Sequence, residues 1–173
     1  KFSEAYINLA VVMLQIGRLD EAEKYMDELL KYRASGKLLV NMANIYLKKG
    51  ETARASVLYE EALKKDGKSR FVLSNYAYFL LSIGEFESGI KIIETLDYKN
   101  YTDYFNLGTA YYLHGSYEKA IENLLLAEKF NQPEEIYDLM ASSHEKLGNF
   151  EQEADVLKIL VSKNNLKEYR FRL

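Results

Sequence analysis

Few residues of this chain are of a type and spacing suited to catalysis. The two histidines, His114 and His144, are thirty residues apart, which does not suit them to a shared acid–base or metal role. Cysteine is absent from all 173 residues, so thiolate ligands, cysteine nucleophiles and disulfides are excluded while the redox compartment stays open. Gly67-Lys68-Ser69 has the ending of a phosphate-binding loop, but that motif needs a glycine where Ala62 stands, so the segment reads as a turn between helices. The acidic pairs Glu60-Glu61 and Glu134-Glu135 read as solvated helix faces. Asn100-Tyr101-Thr102 fits the glycosylation acceptor pattern, which has meaning only in a secreted eukaryotic protein. The polar residue that recurs is asparagine: Asn8, Asn41, Asn75 and Asn106 are spaced by 33, 34 and 31 residues. An amide side chain both donates and accepts, so a row spaced by one repeat can pair with the amides and carbonyls of an extended peptide without reading its side chains. That chemistry is binding.

Such a row needs a repeating element to carry it. Gly17, Gly50, Gly84, Gly115 and Gly148 recur at intervals of 33, 34, 31 and 33 residues, and each follows one stretch of helical periodicity and precedes another. A glycine at that point tolerates positive φ and closes the first helix. The composition agrees: one proline in the whole chain and 48% hydrophobic residues favour uninterrupted helices and argue against disorder. The unit is helix, tight turn, helix.

The totals exclude some roles. A formal charge of −3, from 23 basic and 26 acidic residues, with no basic run longer than a pair such as Lys48-Lys49 or Lys64-Lys65, makes nucleic acid an unsuitable partner. No window approaches the ~18 apolar residues of a membrane-spanning helix, and Lys1-Phe2-Ser3-Glu4 lacks the anatomy of a secretory signal. We expect a soluble chain without direct membrane insertion. The cytoplasm is favoured, and the periplasm, or membrane association through segments outside this sequence, stays open. The missing initiating methionine leads us to expect a fragment or a processed chain.

With the turn glycine set as position 15, position 8 reads Ala10, Ala43, Ala77, Gly108 and Ala141, small residues where two helices must approach. Position 4 reads Tyr6, Leu39, Leu73, Tyr104 and Tyr137, position 7 reads Leu9, Met42, Tyr76, Leu107 and Met140, and position 20 reads Ala22, Ala55, Gly89 and Ala120. This pattern resembles the tetratricopeptide repeat family, whose unit of about 34 residues has a large apolar residue at position 4 and Leu, Gly or Ala, and Tyr at positions 7, 8 and 11. The resemblance implies an all-α fold, a right-handed superhelical stack or solenoid of about five antiparallel helix-turn-helix hairpins. We expect a single array over residues 1–173, with repeats at 3–35, 36–69, 70–100, 101–133 and 134–167, and with 168–173 starting a further repeat or capping the stack. The family's proline after the second helix appears only as Pro133, so the other inter-repeat turns are expected to rest on Gly36, Gly67 or polar residues. The third repeat is about three residues short. Glu153 occupies position 20 of the fifth repeat, where packing is expected to suffer. His144, at core-facing position 11, is expected to replace tyrosine and be satisfied within the stack.

In the family the first helices line a concave groove that generally binds peptides or helices of partner proteins. The groove-facing positions implied by the resemblance contain the asparagine row at position 6, broken by Leu139, together with Asn44 at position 9. They also contain the aromatics Phe71, Tyr78, Phe105 and Tyr112, which can form pockets for apolar side chains or pack against neighbouring hairpins. The asparagines in turn can grip a ligand backbone, solvate the groove or bond within the repeat. Members that clamp a chaperone's terminal carboxylate use cationic residues that are missing here: Ile7 and Val40 stand at the lysine position, and the position 6 row contains no arginine. The expected function is a non-enzymatic scaffold that binds a protein or peptide partner and needs no cofactor or metal. The competing readings are a platform that self-associates through its array ends, and the substrate-recruiting arm of a larger enzyme.

Overall fold

The computed structural model describes residues 2–32 and 34–164, and among them the secondary structure is ten α-helices without a strand. In chain order these are α1 (Phe2–Gln15), α2 (Leu19–Leu30), α3 (Gly36–Lys48), α4 (Thr52–Asp66), α5 (Arg70–Ser82), α6 (Phe86–Glu94), α7 (Tyr101–Leu113), α8 (Tyr117–Glu128), α9 (Glu134–Leu147) and α10 (Phe150–Asn164). The assignments expected for 168–173 lie outside the described residues. The molecule divides into two compact units, Lys1–Phe79 and Leu80–Leu173, so the division falls within α5.

All five turn glycines adopt left-handed backbone, with φ between +73° and +86°. Each first helix ends in the same Schellman arrangement: the residue after the glycine donates its N–H to the carbonyl five residues earlier, as in Arg18 to Met13 at 2.9 Å, Glu51 to Tyr46 at 2.8 Å and Asn149 to His144 at 2.9 Å. Two of the four inter-repeat turns rest on polar caps. Ser35 Oγ accepts from Leu38 N at 3.2 Å, and Asn100 forms a reciprocal capping box with buried Asp103. Gly36 corrects the expectation of a turn glycine. It is the buried first residue of α3, and a Cβ there would lie 2.7 Å from Asp66 Cβ and 3.1 Å from Val72 Cγ2, so it permits a close approach. Gly67, with φ −67°, caps α4 in ordinary right-handed geometry.

The small residues of position 8 are all buried, and they let the paired helices come close: Ala10 clusters with Ala22, and a Cβ on Gly108 would lie 3.3 Å from the Ala120 carbonyl oxygen. In the first unit, Ala10, Ala22, Met26, Leu38, Met42 and Ile45 form one apolar cluster. In the second, Leu124, Ala127, Ile136, Met140, Ala141, Leu157 and Leu160 form another. The fifth hairpin therefore closes despite Glu153, since Leu157 and Leu160 are 0% exposed. The half-buried Glu153 instead exerts its field on His144.

Tyrosine hydroxyls tie successive hairpins together. Tyr46 donates to Glu23 at 2.8 Å, Tyr111 to Glu94 at 2.7 Å and Tyr137 to Glu128 at 2.7 Å. Burial, reinforced by the carboxylate acceptor, pushes each of these phenols up to about 12. Lys49 pairs with Glu23 and, at 2.6 Å, with Asp20. The Lys49 and Tyr46 hydrogen bonds together hold the Glu23 carboxyl below its ordinary value.

Candidate functional site

In the first unit, α3 carries Asn41 and Asn44, which lie on one helix face because three residues make nearly one turn. Asn44 sits in a built network. Its Oδ1 accepts from the Tyr59 hydroxyl of α4, and its Nδ2 donates to Asn75 Oδ1 of α5 at 3.5 Å. Asn75 in turn donates from Nδ2 to the Phe71 carbonyl at 2.7 Å. The structure thus brings Asn44 and Asn75 together and fixes both amides. Asn41 differs: it is only 6% exposed, and its Nδ2 is buried without an acceptor in the protein. Asn8 is exposed on α1, Phe71 is 39% exposed, and Tyr78 is half-buried.

In the second unit, Asn106 and Phe105 are half-buried on α7. Phe105 stacks on Tyr101 with ring centroids 5.8 Å apart and packs with Tyr101, Tyr104 and Leu139 against the core cluster. Tyr112 meets Tyr117 edge to face at 5.6 Å. The second-unit aromatics therefore spend much of their surface on internal packing, while leaving edges at the surface.

Tyr59 was missed as a site residue because position 24 is a core position. It is 1% exposed and stacks on Phe79 at 4.7 Å, yet its hydroxyl orients Asn44. The available signal was its polar tip in a column that otherwise reads Met26, Ile93, Leu124 and Leu157. His144 also departs from expectation: its Nδ1 is buried without a protein partner, and burial pushes the imidazole below its ordinary value while Glu153 acts the other way. Among the described residues no group of three or more His, Cys, Asp or Glu is arranged to hold a metal. A surface depression of about 500 Å3 lies elsewhere, along α2 between Asp20, Asp27 and Lys31.

The turn geometry, the paired small residues and the repeated spacing have a counterpart in known proteins. Family models described as tetratricopeptide repeat match residues 3–35 and 38–71. The chain carries tetratricopeptide repeats. Mouse trafficking protein particle complex subunit 12 is 30% identical over 118 residues, covering 61% of this chain, and the chain spans only 15% of that protein's length. Among solved structures, Pseudomonas aeruginosa PilF superposes with a TM-score of 0.81 at 21% identity, over 92% of this chain and 75% of PilF. MamA from Desulfovibrio magneticus RS-1 gives 0.80 at 18% identity, over 92% and 93% of the two chains. At these identities the likeness establishes the fold. Tetratricopeptide repeats generally serve as scaffolds for contacts between proteins. No helix among the described residues is long and apolar enough to cross a membrane.

Proposed function

We propose that this tetratricopeptide protein is a non-enzymatic scaffold that holds an extended or helical segment of a partner protein. In the first unit Asn41, Asn44, Asn75, Phe71 and Tyr78 take part, with Asn8 at the margin. In the second, Asn106, Phe105 and Tyr112 present an amide beside aromatic edges. The observation that carries this reading is the Asn44–Asn75 amide pair, which is fixed in direction by bonds to the Tyr59 hydroxyl and the Phe71 carbonyl and keeps one N–H donor of each amide unspent. Every residue of the set is uncharged, which suits recognition of peptide backbone and apolar side chains over recognition of acidic or basic tails.

The test is capture from a diverse peptide library by the intact chain, by Asn44→Ala and by an Asn75→Ala, Asn106→Ala double variant, after confirming equal helicity. Loss of one good hydrogen bond corresponds to roughly tenfold weaker binding. Peptides captured by the intact chain and released by both variants support the reading. Capture that neither variant weakens removes it.

A further inference from the structure

Position 11, four residues before the turn glycine, is where successive hairpins are tied. Tyr46 and Tyr111 stand there, and each hydroxyl donates to a carboxylate on the second helix of the preceding hairpin: Glu23 at position 21 and Glu94 at position 25. In the fifth hairpin position 11 is His144, and positions 21 and 25 of the helix before it, α8, are Ile121 and Leu125. Both carboxylate positions are therefore apolar. The His144 Nδ1 is buried without a hydrogen-bond partner among the described residues. The residues one turn from it on its own helix are Met140, Ala141 and Leu147, and the first two belong to the buried core cluster. Charge around the ring is equally sparse. α9 packs against α7, α8 and α10. The one charged residue of α7, Asp103, is spent in its own N-terminal cap. On α8, Glu118 is exposed in the first turn, Lys119 lies over the Tyr111 ring, Glu122 acts on Tyr111 and Glu128 accepts from Tyr137. On α10, Glu151 is exposed, Asp155 pairs with Lys158, and Lys163 lies over the Tyr137 ring. Asp138, Glu145 and Lys146 fall on other faces of α9, and Glu134 and Glu135 stand in its first turn. That leaves Glu153 of α10, whose field favours protonation of His144 but is outweighed by burial.

We propose that His144 is an acid-sensitive latch between the fourth and fifth hairpins, whose protonation reversibly loosens α9 and α10 from α8. The neutral ring leaves one acceptor unmet, whereas the protonated ring must bury a charge and a second N–H donor without an acceptor. The opened hairpin takes the proton first, so the junction is whole above about pH 6.5 and weakens as pH falls below it. Phe105 of α7 packs against the same core cluster, so loosening α9 alters one aromatic of the candidate site. That consequence alone rests on the proposed function.

The experiment is amide hydrogen exchange of the full 173-residue chain at about pH 7.5 and about pH 5.5, corrected for intrinsic exchange, with α3 and α4 as the internal reference. Two variants are measured beside it: His144→Leu, matching Leu80 at position 11 of the third repeat, and Leu125→Glu, at a site 43% exposed. In the unaltered chain, protection of α9 and α10 should fall about three- to tenfold relative to the reference, the upper figure being one decade for one proton over one pH unit. His144→Leu should abolish that fall. Leu125→Glu, which restores a carboxylate at the position Glu94 uses, should abolish or reverse it. Equal protection at the two pH values in the unaltered chain, or an undiminished fall in either variant, overturns the proposal. Titration of the His144 ring by NMR needs no variant: a midpoint below 6.5 is expected, and one at or above 6.5 overturns the latch. Neither substitution touches the asparagine site, so failure here leaves the peptide-capture test standing.

Discussion

Substituting leucine at Asn41 and at Asn44, three residues apart on the same helix, is expected to move stability in opposite directions. Asn41 is 6% exposed and its Nδ2 has no acceptor, so Asn41→Leu removes a buried unmet donor and puts an apolar group of similar size in its place. The expected gain is about 1–3 kcal/mol, a rise in melting temperature on the order of 5 °C for a chain of this length. Asn44→Leu does the reverse. Tyr59 is 1% exposed and its hydroxyl donates to Asn44 Oδ1; removing that oxygen orphans the hydroxyl and costs about 1–3 kcal/mol. Both residues belong to the same compact unit, so one set of urea or thermal unfolding curves compares them directly. The gap between the variants should be about 2–6 kcal/mol. Under the proposed function Asn44→Leu also loses peptide capture. Destabilisation by Asn41→Leu, or shifts of the same sign at the two sites, refutes the argument that the Asn41 amide is an unmet buried donor while that of Asn44 is a satisfied one.

Tyr59→Phe should retain the stack on Phe79 and leave Asn44 in place but free to rotate; peptide affinity should then fall about three- to tenfold through lost ordering, read by calorimetry as a less favourable entropy. Gly50→Ala meets no atom within 4 Å, yet it should lose about 1–2 kcal/mol because its φ is +79°. Gly108→Ala should lose up to about 2 kcal/mol for the opposite reason: the new Cβ would sit 2.7 Å from Leu124 Cγ, and overpacking of about 1–3 kcal/mol exceeds the roughly 1 kcal/mol gained in helix propensity. Both are checked by urea unfolding. Tyr46, Tyr111 and Tyr137 hold their protons to about pH 12 when folded, while unfolded tyrosines release theirs near 10. Their contribution is therefore whole below pH 10 and is lost between about 10 and 12, by up to about 1.4 kcal/mol per pH unit for each tyrosine, which urea midpoints at pH 9 and 11 will reveal.

The fold was legible because its tightest constraints are steric and recur. Only a glycine or a strained residue can hold the left-handed turn at positions 17, 50, 84, 115 and 148, and only Ala or Gly fits where paired helices touch, so chain spacing alone exposed the hairpins. Constraints between hairpins were less visible. Gly36 looked like a turn glycine because its contact partners, Asp66 and Val72, are thirty or more residues away. The Tyr46–Glu23 and Tyr111–Glu94 ties use different repeat positions on their acceptor helices, so no single column of the repeat shows them. His144 occupies a tyrosine position without a tyrosine's hydrogen bond, which the residue type alone could not disclose. At the candidate site the sequence placed the amides but gave equal weight to each. The structure ranks them: Asn44 and Asn75 are anchored, Asn41 is unmet, and Asn8 is open to solvent.

That ranking bears on how a neutral face can bind with useful affinity. A flexible asparagine brings little net gain, because ordering a side chain offsets much of one hydrogen bond. Tyr59, immobilised on Phe79, removes that offset for Asn44, and the Asn44–Asn75 bond passes the constraint on to α5. The internal bonds do not exhaust these amides: each carboxamide has two N–H donors and two lone pairs on oxygen, and Asn44 Nδ2 and Asn75 Nδ2 each spend one donor internally. One donor of each therefore stays available, now in a fixed direction. Specificity then falls to the aromatics: Phe71, 39% exposed, has apolar surface left to give, whereas Phe105 and Tyr112 have already committed faces to Tyr101 and Tyr117. The first unit accordingly combines fixed amides with an open aromatic, which is why the proposed function puts the main share of binding there.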